Sequence, residues 1–229
     1  MEDFLFQDVA KMVDISCVKA NHTLEEIDEM IAAAKKYQFI CAFALPSFTA
    51  YLIEMLKDEP NIMIGGAVGF PSGGDTTETK VFQAKELLKM GCNELDMVIN
   101  ITQLKSQNYE NVFKDIKAVV DTAGKTPVKA ILEVTLLTEE EIVKGSRIAV
   151  EAGISYIKTG TGWCSKPTTV EHIKLIKKTI QDEAKIKAAG GIRDLGTLIE
   201  MAKAGCQRFG IGLSSAISIM EQAGKYNNR

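Results

Sequence analysis

Two lysines stand out for where they sit. Lys158 closes the run S155-Y-I-K158 and is followed by T-G-T-G; Lys187 lies in A184-K-I-K187 and is followed by A-A-G-G. If both runs are strands and neighbours in a sheet, the backbones lie about 5 Å apart and the two amines meet. Two ammonium groups at close range disfavour each other's charge, so one pKa falls. A neutral lysine attacks a carbonyl and forms a Schiff base. The competing reading is a pair of rim lysines whose stems cover apolar surface. Asp96, inside the apolar run E94-L-D-M-V-I-N100, is a carboxylate that a buried strand tolerates only when paired or hydrogen-bonded. It reads either as a proton-transfer partner for a Schiff-base lysine or as a salt-bridged structural group, with Glu94 on the same face. Glu133 and Lys129 offer a second such pairing, and spacing alone does not choose between them.

The elements around these residues alternate. Short apolar runs at 12–15, 39–44, 62–68, 94–99, 128–134, 154–157, 184–188 and 208–211 read as eight strands buried on both faces. Amphipathic stretches at 24–36, 79–90, 109–122, 139–151, 167–179, 195–204 and 214–223 read as helices. Thr23 with Glu26 and Thr138 with Glu141 have capping-box spacing, and Gly91 marks a helix end. The alternation predicts an α/β fold, a (β/α)8 TIM barrel forming one compact domain over 1–229, with GKYNNR frayed at the C-terminus. An open doubly wound sheet is the rival.

Barrel sites form at the C-terminal ends of strands. The polar residues meeting that condition are Asp14, Ser16, Asp96, Asn100, Glu133, Thr135, Lys158, Thr159 and Lys187. The loops G69-F-P-S-G-G, G160-T-G-W163 and G190-G-I-R193 are glycine-rich. Gly190 and Gly191 after strand seven, Gly210 and Gly212 around the end of strand eight, and Arg193 together read as an anion site of the phosphate type. No Walker lysine or GxGxxG follows the first loop, which argues against a nucleotide fold.

Composition narrows the remaining classes. A net charge of -3 gives no basic excess for nucleic acid. The opening MEDFLFQDVAKMVD has neither a basic start nor an unbroken apolar run, and no window is long and apolar enough to span a bilayer. Five scattered cysteines form no CxxC pair and the two histidines no HExxH, so the expectation is a cytoplasmic protein without a metal or disulfide framework.

These segments resemble the deoxyribose-phosphate aldolases, a family of Schiff-base (class I) aldolases with a (β/α)8 barrel. The matching segments are V68-G-F-P-S-G-G with T79-K80, E94-L-D-M-V-I-N-I with L104-K-S, I131-L-E-V-T-L-L-T, I157-K-T-G-T-G and K187-A-A-G-G-I-R. They occur in the family's order across nearly the whole chain. The resemblance implies reversible retro-aldol cleavage of 2-deoxy-D-ribose 5-phosphate to acetaldehyde and D-glyceraldehyde 3-phosphate. It implies Lys158 as the Schiff-base lysine, Lys187 as the lysine that lowers its pKa, and Asp96 as the proton-transfer carboxylate. The iminium is the electron sink, so no metal or organic cofactor is implied.

Asp14, Ser16, Glu133, Thr159, Gly162, Trp163, Gly190, Gly191, Arg193, Gly210 and Gly212 are expected around a small phosphorylated sugar or aldehyde, in a homodimer or homotetramer. The chain departs from the family pattern in four places. It has K158-T-G-T-G-W163 for K-T-S-T-G-F, D14-I-S16 for D-H-T, E133-V-T135 for E-T-C or E-T-G, and G210-I-G-L-S-S-A216 for G-T-S-S-G. Ungapped, Gly212 and Leu213 replace the serines of the phosphate loop; a two-residue slip uses Ser214 and Ser215 instead. Trp163 either narrows the pocket or anchors its loop. The alternatives are an aldolase of the same family acting on another or an unphosphorylated hydroxyaldehyde, and a non-catalytic binding barrel.

Overall fold

The structure, a computed structural model, describes residues 6–226. Eight parallel strands close on themselves in chain order: β1 (Val13–Cys17), β2 (Cys41–Ala44), β3 (Met63–Val68), β4 (Glu94–Val98), β5 (Val128–Ile131), β6 (Tyr156–Lys158), β7 (Lys185–Ala189) and β8 (Arg208–Gly212). Closure is carried by β1 on β8, in register from Val13 opposite Phe209 to Ser16 opposite Gly212, which excludes the open sheet. Among the described residues ten helices follow or flank the strands: α1 (Phe6–Ala10), α2 (Leu24–Tyr37), α3 (Pro46–Leu56), α4 (Thr77–Met90), α5 (Ile101–Lys105), α6 (Tyr109–Ala123), α7 (Glu139–Glu151), α8 (Val170–Ile180), α9 (Leu195–Lys203) and α10 (Leu213–Tyr226). None of the described helices is long and apolar enough to cross a membrane.

The capping boxes predicted at Thr23 and Thr138 are both formed. A third, Thr169 with His172, starts α8 at Val170, so Pro167 and Thr168 precede the helix expected from 167. Thr76 caps α4, which starts at Thr77, two residues ahead of the predicted start. Three helices have no counterpart in the sequence reading: α1, α5, and α3, which has Pro46 at its first turn. The predicted fifth strand, 128–134, stops at Ile131; Glu133 adopts a left-handed φ of 56° and Val134–Leu136 form a 3-10 turn. The last helix runs to Tyr226, into the segment expected to fray; 227–229, and 1–5 of the segment read for a leader, lie outside the described residues.

Strand alternation explains how a barrel this polar stays folded. One face of each strand carries apolar residues such as Ile15, Leu95, Met97, Ile157 and Phe209, all buried. The other face turns inward and carries Asp14, Glu94, Asp96, Lys129, Lys158, Lys187 and Arg208, which meet one another across the barrel. Barrel interiors are ordinarily packed with branched apolar side chains. Here a charged network fills part of that space, and Phe43 fills another part.

Gly65 makes room for that ring. Phe43 and Gly65 are register partners in β2 and β3, and a Cβ at position 65 would lie 2.0 Å from Phe43 Cζ. Gly65→Ala therefore displaces the ring and costs about 1–3 kcal/mol by overpacking. Thermal unfolding checks this: a variant with the wild-type Tm contradicts the packing.

Candidate active site

Lys158 and Lys187 are direct register partners of β6 and β7. Both reach the same oxygen, Oδ2 of Asp96 on β4, each with Nζ at 2.7 Å. Lys187 Nζ also lies 2.5 Å from Asp14 Oδ2 on β1. Lys129 on β5 pairs with Glu94, with Asp96 Oδ1 at 3.3 Å and with Asp14 Oδ2 at 3.5 Å. Arg208 on β8 holds Asp14 through Nε at 2.7 Å and through its Nη2, and approaches Glu94 at 3.1 Å. Seven acidic and basic side chains of the described residues thus meet in the barrel interior.

Charge arithmetic singles out one of them. Asp14, Glu94 and Asp96 supply three negative charges, and Lys129, Lys158, Lys187 and Arg208 up to four positive ones. Buried charge is tolerated when balanced, so one base is in excess. The bases are not equivalent. Lys129 and Lys187 are 0 % exposed, whereas Lys158 is 8 % exposed and lies at the edge of the network. Burial depresses the Lys158 pKa to about 8 against the pull of Asp96, and the Lys187 and Lys129 charges push the same way. Lys129 moves upward, because Asp96, Asp14 and Glu94 outweigh its burial. Burial alone would raise the Asp96 pKa, but Lys129, Lys158 and Lys187 hold its carboxyl well below the usual range. Asp14 is likewise lowered: its burial is outweighed by Lys187, Lys129 and Arg208. A partly neutral primary amine with fixed carboxylate and ammonium neighbours suits carbonyl addition and proton transfer.

Above this group opens a cavity of about 480 Å³, large enough for a small sugar phosphate. Asp14, Ser16, Phe43, Asp96, Lys158 and Lys187 line its floor and walls. Gly162, Gly190, Gly191, Arg193, Gly210 and Gly212 line it too, with Gly210 beside Lys187 and Gly212 beside Ser16. Gly190 and Gly191 take φ of 98° and 81°, and a Cβ on Gly191 would meet Pro167 at 2.4 Å, so the tight loop needs both glycines. The first turn of the 14-residue α10 faces the same space, and Leu213, Ser214 and Ser215 all line it. The serines two positions along are therefore present at the cavity, alongside the leucine. A helix start beside a glycine turn presents N–H groups to an anion.

Three expected contact residues do not line the cavity. Thr159 is fully buried between strands: its Oγ1 accepts from Ala189 N at 2.9 Å and binds Thr168 Oγ1 at 2.9 Å. It keeps the ends of β6 and β7 abreast. Glu133 turns beneath the loop after Lys158, accepting from Thr161 N at 3.1 Å and from the Thr161 hydroxyl. Trp163 clasps two loops from outside: its Nε1 donates to Val18 O at 2.8 Å and its ring meets Phe70 edge-on at 6.1 Å. Asn100 caps α5, accepting from Gln103 N at 3.1 Å. The sequence reading did not single out Arg208, Phe43 or Lys19, which lines the cavity mouth and donates to Gly162 O. A signal for Arg208 was present: it is a charged residue opening an apolar run, as Glu94 is in E94-L-D-M-V98.

Comparison with known proteins places the chain in a family. The model of the DeoC/LacD family of aldolases matches residues 10–220. The deoxyribose-phosphate aldolase of Sinorhizobium medicae is 44% identical over 216 residues, 94% of this chain and 87% of that protein. A solved structure of a putative deoxyribose-phosphate aldolase from Coccidioides immitis superposes with a TM-score of 0.91 at 31% identity, covering 96% of this chain and 87% of that one. The tetrameric deoxyribose phosphate aldolase of Aeropyrum pernix superposes with a TM-score of 0.86 at 26% identity, covering 96% and 93%. The lysine pair, its shared aspartate and the loops that frame them therefore sit in a barrel of known kind: this chain belongs to the DeoC/LacD family of aldolases.

Proposed function

We infer that the protein is a Schiff-base aldolase that cleaves 2-deoxy-D-ribose 5-phosphate to acetaldehyde and D-glyceraldehyde 3-phosphate. The observation that carries this is Lys158, whose amine has a pKa near 8 and lies between Asp96 and the cavity. Neutral Lys158 attacks C1 of the open-chain sugar, and loss of water gives an iminium. The C3 hydroxyl gives up its proton, the C2–C3 bond breaks, and its electrons flow to the iminium nitrogen. The phosphorylated aldehyde leaves and an enamine remains. Protonation at C2 regenerates the iminium, and water then releases acetaldehyde and the free amine.

Asp96 is the acceptor and donor for these protons, by way of a water. Its Oδ1 accepts no hydrogen bond from the described residues, and the Lys129 amine lies 3.3 Å from it. Lys187 is held between Asp14 and Asp96, and its charge adds to the burial that lowers the Lys158 pKa. Gly190, Gly191, Arg193 and the start of α10 take the phosphate, with Gly162, Gly210 and Gly212 letting the backbone approach. Asp14 and Ser16 face the sugar. Four of the five free cysteines are buried thiols, which suits a reducing cytoplasm. The tetrameric relative supports a homo-oligomer.

The test is acetaldehyde release from 2-deoxyribose 5-phosphate and from 2-deoxyribose, measured side by side. Strong preference for the phosphate is expected. Equal turnover would mean that Leu213, beside Ser214 in the cavity, has removed the anion site. No release from either overturns the reading. Arg193→Ala raises KM for the phosphorylated sugar about tenfold, the scale of one charge-assisted contact, and leaves the free sugar unaffected. Equal effects on both sugars would reject phosphate contact.

A further inference from the structure

Resting on the aldolase reading, we propose that Phe43 is a positioning residue of the lysine pair: its ring face holds the Lys187 ammonium, and so keeps the pair's proton on Lys187 and off Lys158.

The geometry is asymmetric in the required sense. Lys187 Nζ lies 4.2 Å from the Phe43 ring centroid; Lys129 and Lys158 lie at 5.4 and 5.6 Å. A ring face attracts an ammonium within about 6 Å, more strongly at shorter range, and gains nothing comparable from a neutral amine. Phe43 is 4 % exposed, so water competes little for the cation. The ring is held by its partner strand, where the missing Cβ of Gly65 leaves the space it occupies.

The charged neighbours leave room for such a contribution. Asp96 is shared equally, at 2.7 Å from each amine, and so does not discriminate between them. Asp14 favours Lys187 at 2.5 Å, but Arg208 engages it through two nitrogens and Lys129 approaches it at 3.5 Å. Glu94 is taken up by Lys129 and Arg208. Cys41 on β2 is a neutral thiol, with its pKa pushed well up by burial. Tyr156 on β6 faces Lys129 with its ring, at 5.5 Å. The Phe43 ring biases the proton toward Lys187 without adding to the charge count.

The test is the pH dependence of borohydride-trapped adduct formation with acetaldehyde, measured on the intact protein. Phe43→Leu keeps the site dry but removes the ring face. Its half-maximal pH is expected to rise by about 0.5–1 unit, with trapping at pH 7 three- to tenfold slower and near wild-type at pH 10. A merely structural loss lowers the rate at every pH alike and overturns the proposal. If Phe43→Leu does not fold, 4-fluorophenylalanine and then 3,5-difluorophenylalanine at position 43 weaken the ring face in steps at nearly constant shape. The midpoint should rise with each step, and a constant midpoint overturns the proposal. Wild-type protein that traps no adduct defeats the aldolase reading and this inference together; normal wild-type trapping with unshifted variants defeats this inference alone.

Discussion

Lys158→Met eliminates turnover and at the same time makes the protein more stable at neutral pH. The loss of rate is expected at about 10^5–10^6-fold, the scale of removing a covalent nucleophile. The gain follows from the same burial that makes the amine reactive. The folded pKa is about 8 and the ordinary value 10.5, so the unfolded chain binds this proton more tightly. Below pH 8 the folded state bears the full cost of the buried ammonium, on the order of 3 kcal/mol. As pH rises from 8 to 10.5 that cost disappears, and wild-type stability from this group rises with pH. At pH 7 the methionine variant should therefore melt roughly 5–10 °C higher, with the difference vanishing above pH 10.5. Calorimetry at pH 7 and pH 11 checks this. A variant less stable than wild-type at pH 7 would mean that Lys158 is a structural ion-pair partner.

Asp96→Asn has the second-largest effect, and it separates two steps that Lys158→Met removes together. The amide keeps an acceptor toward the lysines but carries no charge and takes no proton. Asp96 raises the Lys158 pKa through its charge and hydrogen bond, so the variant's amine becomes neutral at lower pH. Imine formation at pH 7 should survive, while turnover falls about 10^2–10^4-fold for want of the proton shuttle. Stability should fall as well, because Lys129 and Lys187 lose a buried counter-charge. The Asp96 folded pKa is held down, so its stabilisation is complete above about pH 4 and is lost only as pH falls through the folded value. The variant's deficit should therefore be largest at neutral pH and shrink in acid. Single-turnover trapping alongside steady-state turnover checks the assignment; equal losses in both would place Asp96 in imine formation alone.

What the sequence made legible, and what it hid, follows the range of the interactions. Strand ends were readable because apolar runs stop at polar residues and glycine turns, as at Lys158-Thr159-Gly160 and Lys187 through Gly191. Capping boxes were readable because their two members lie three residues apart. The helix α3 was not, since PSFTAYLIEML is apolar over much of its surface and starts on a proline. Glu133 resembled a strand-end carboxylate, but its left-handed backbone turns it beneath the β6 loop, and nothing local in E133-V-T135 signals that. Trp163 is anchored on Val18, 145 residues away, a contact only the closed barrel creates. Lys129 and Arg208 gained meaning for the same reason: their partners Asp14 and Glu94 lie on other strands. The choice between Leu213 and the serines turned on where α10 starts, because one helical turn brings Leu213, Ser214 and Ser215 to the cavity together.

In the proposed mechanism Lys158, and not its neighbour, forms the covalent bond. Incubation with 2-deoxyribose 5-phosphate or acetaldehyde, borohydride reduction and peptide mass mapping locate that bond. One ethyl group is expected, on the peptide that contains Lys158, with Lys187 and Lys129 unmodified. An adduct on Lys187, or no adduct while acetaldehyde is still released, would contradict it.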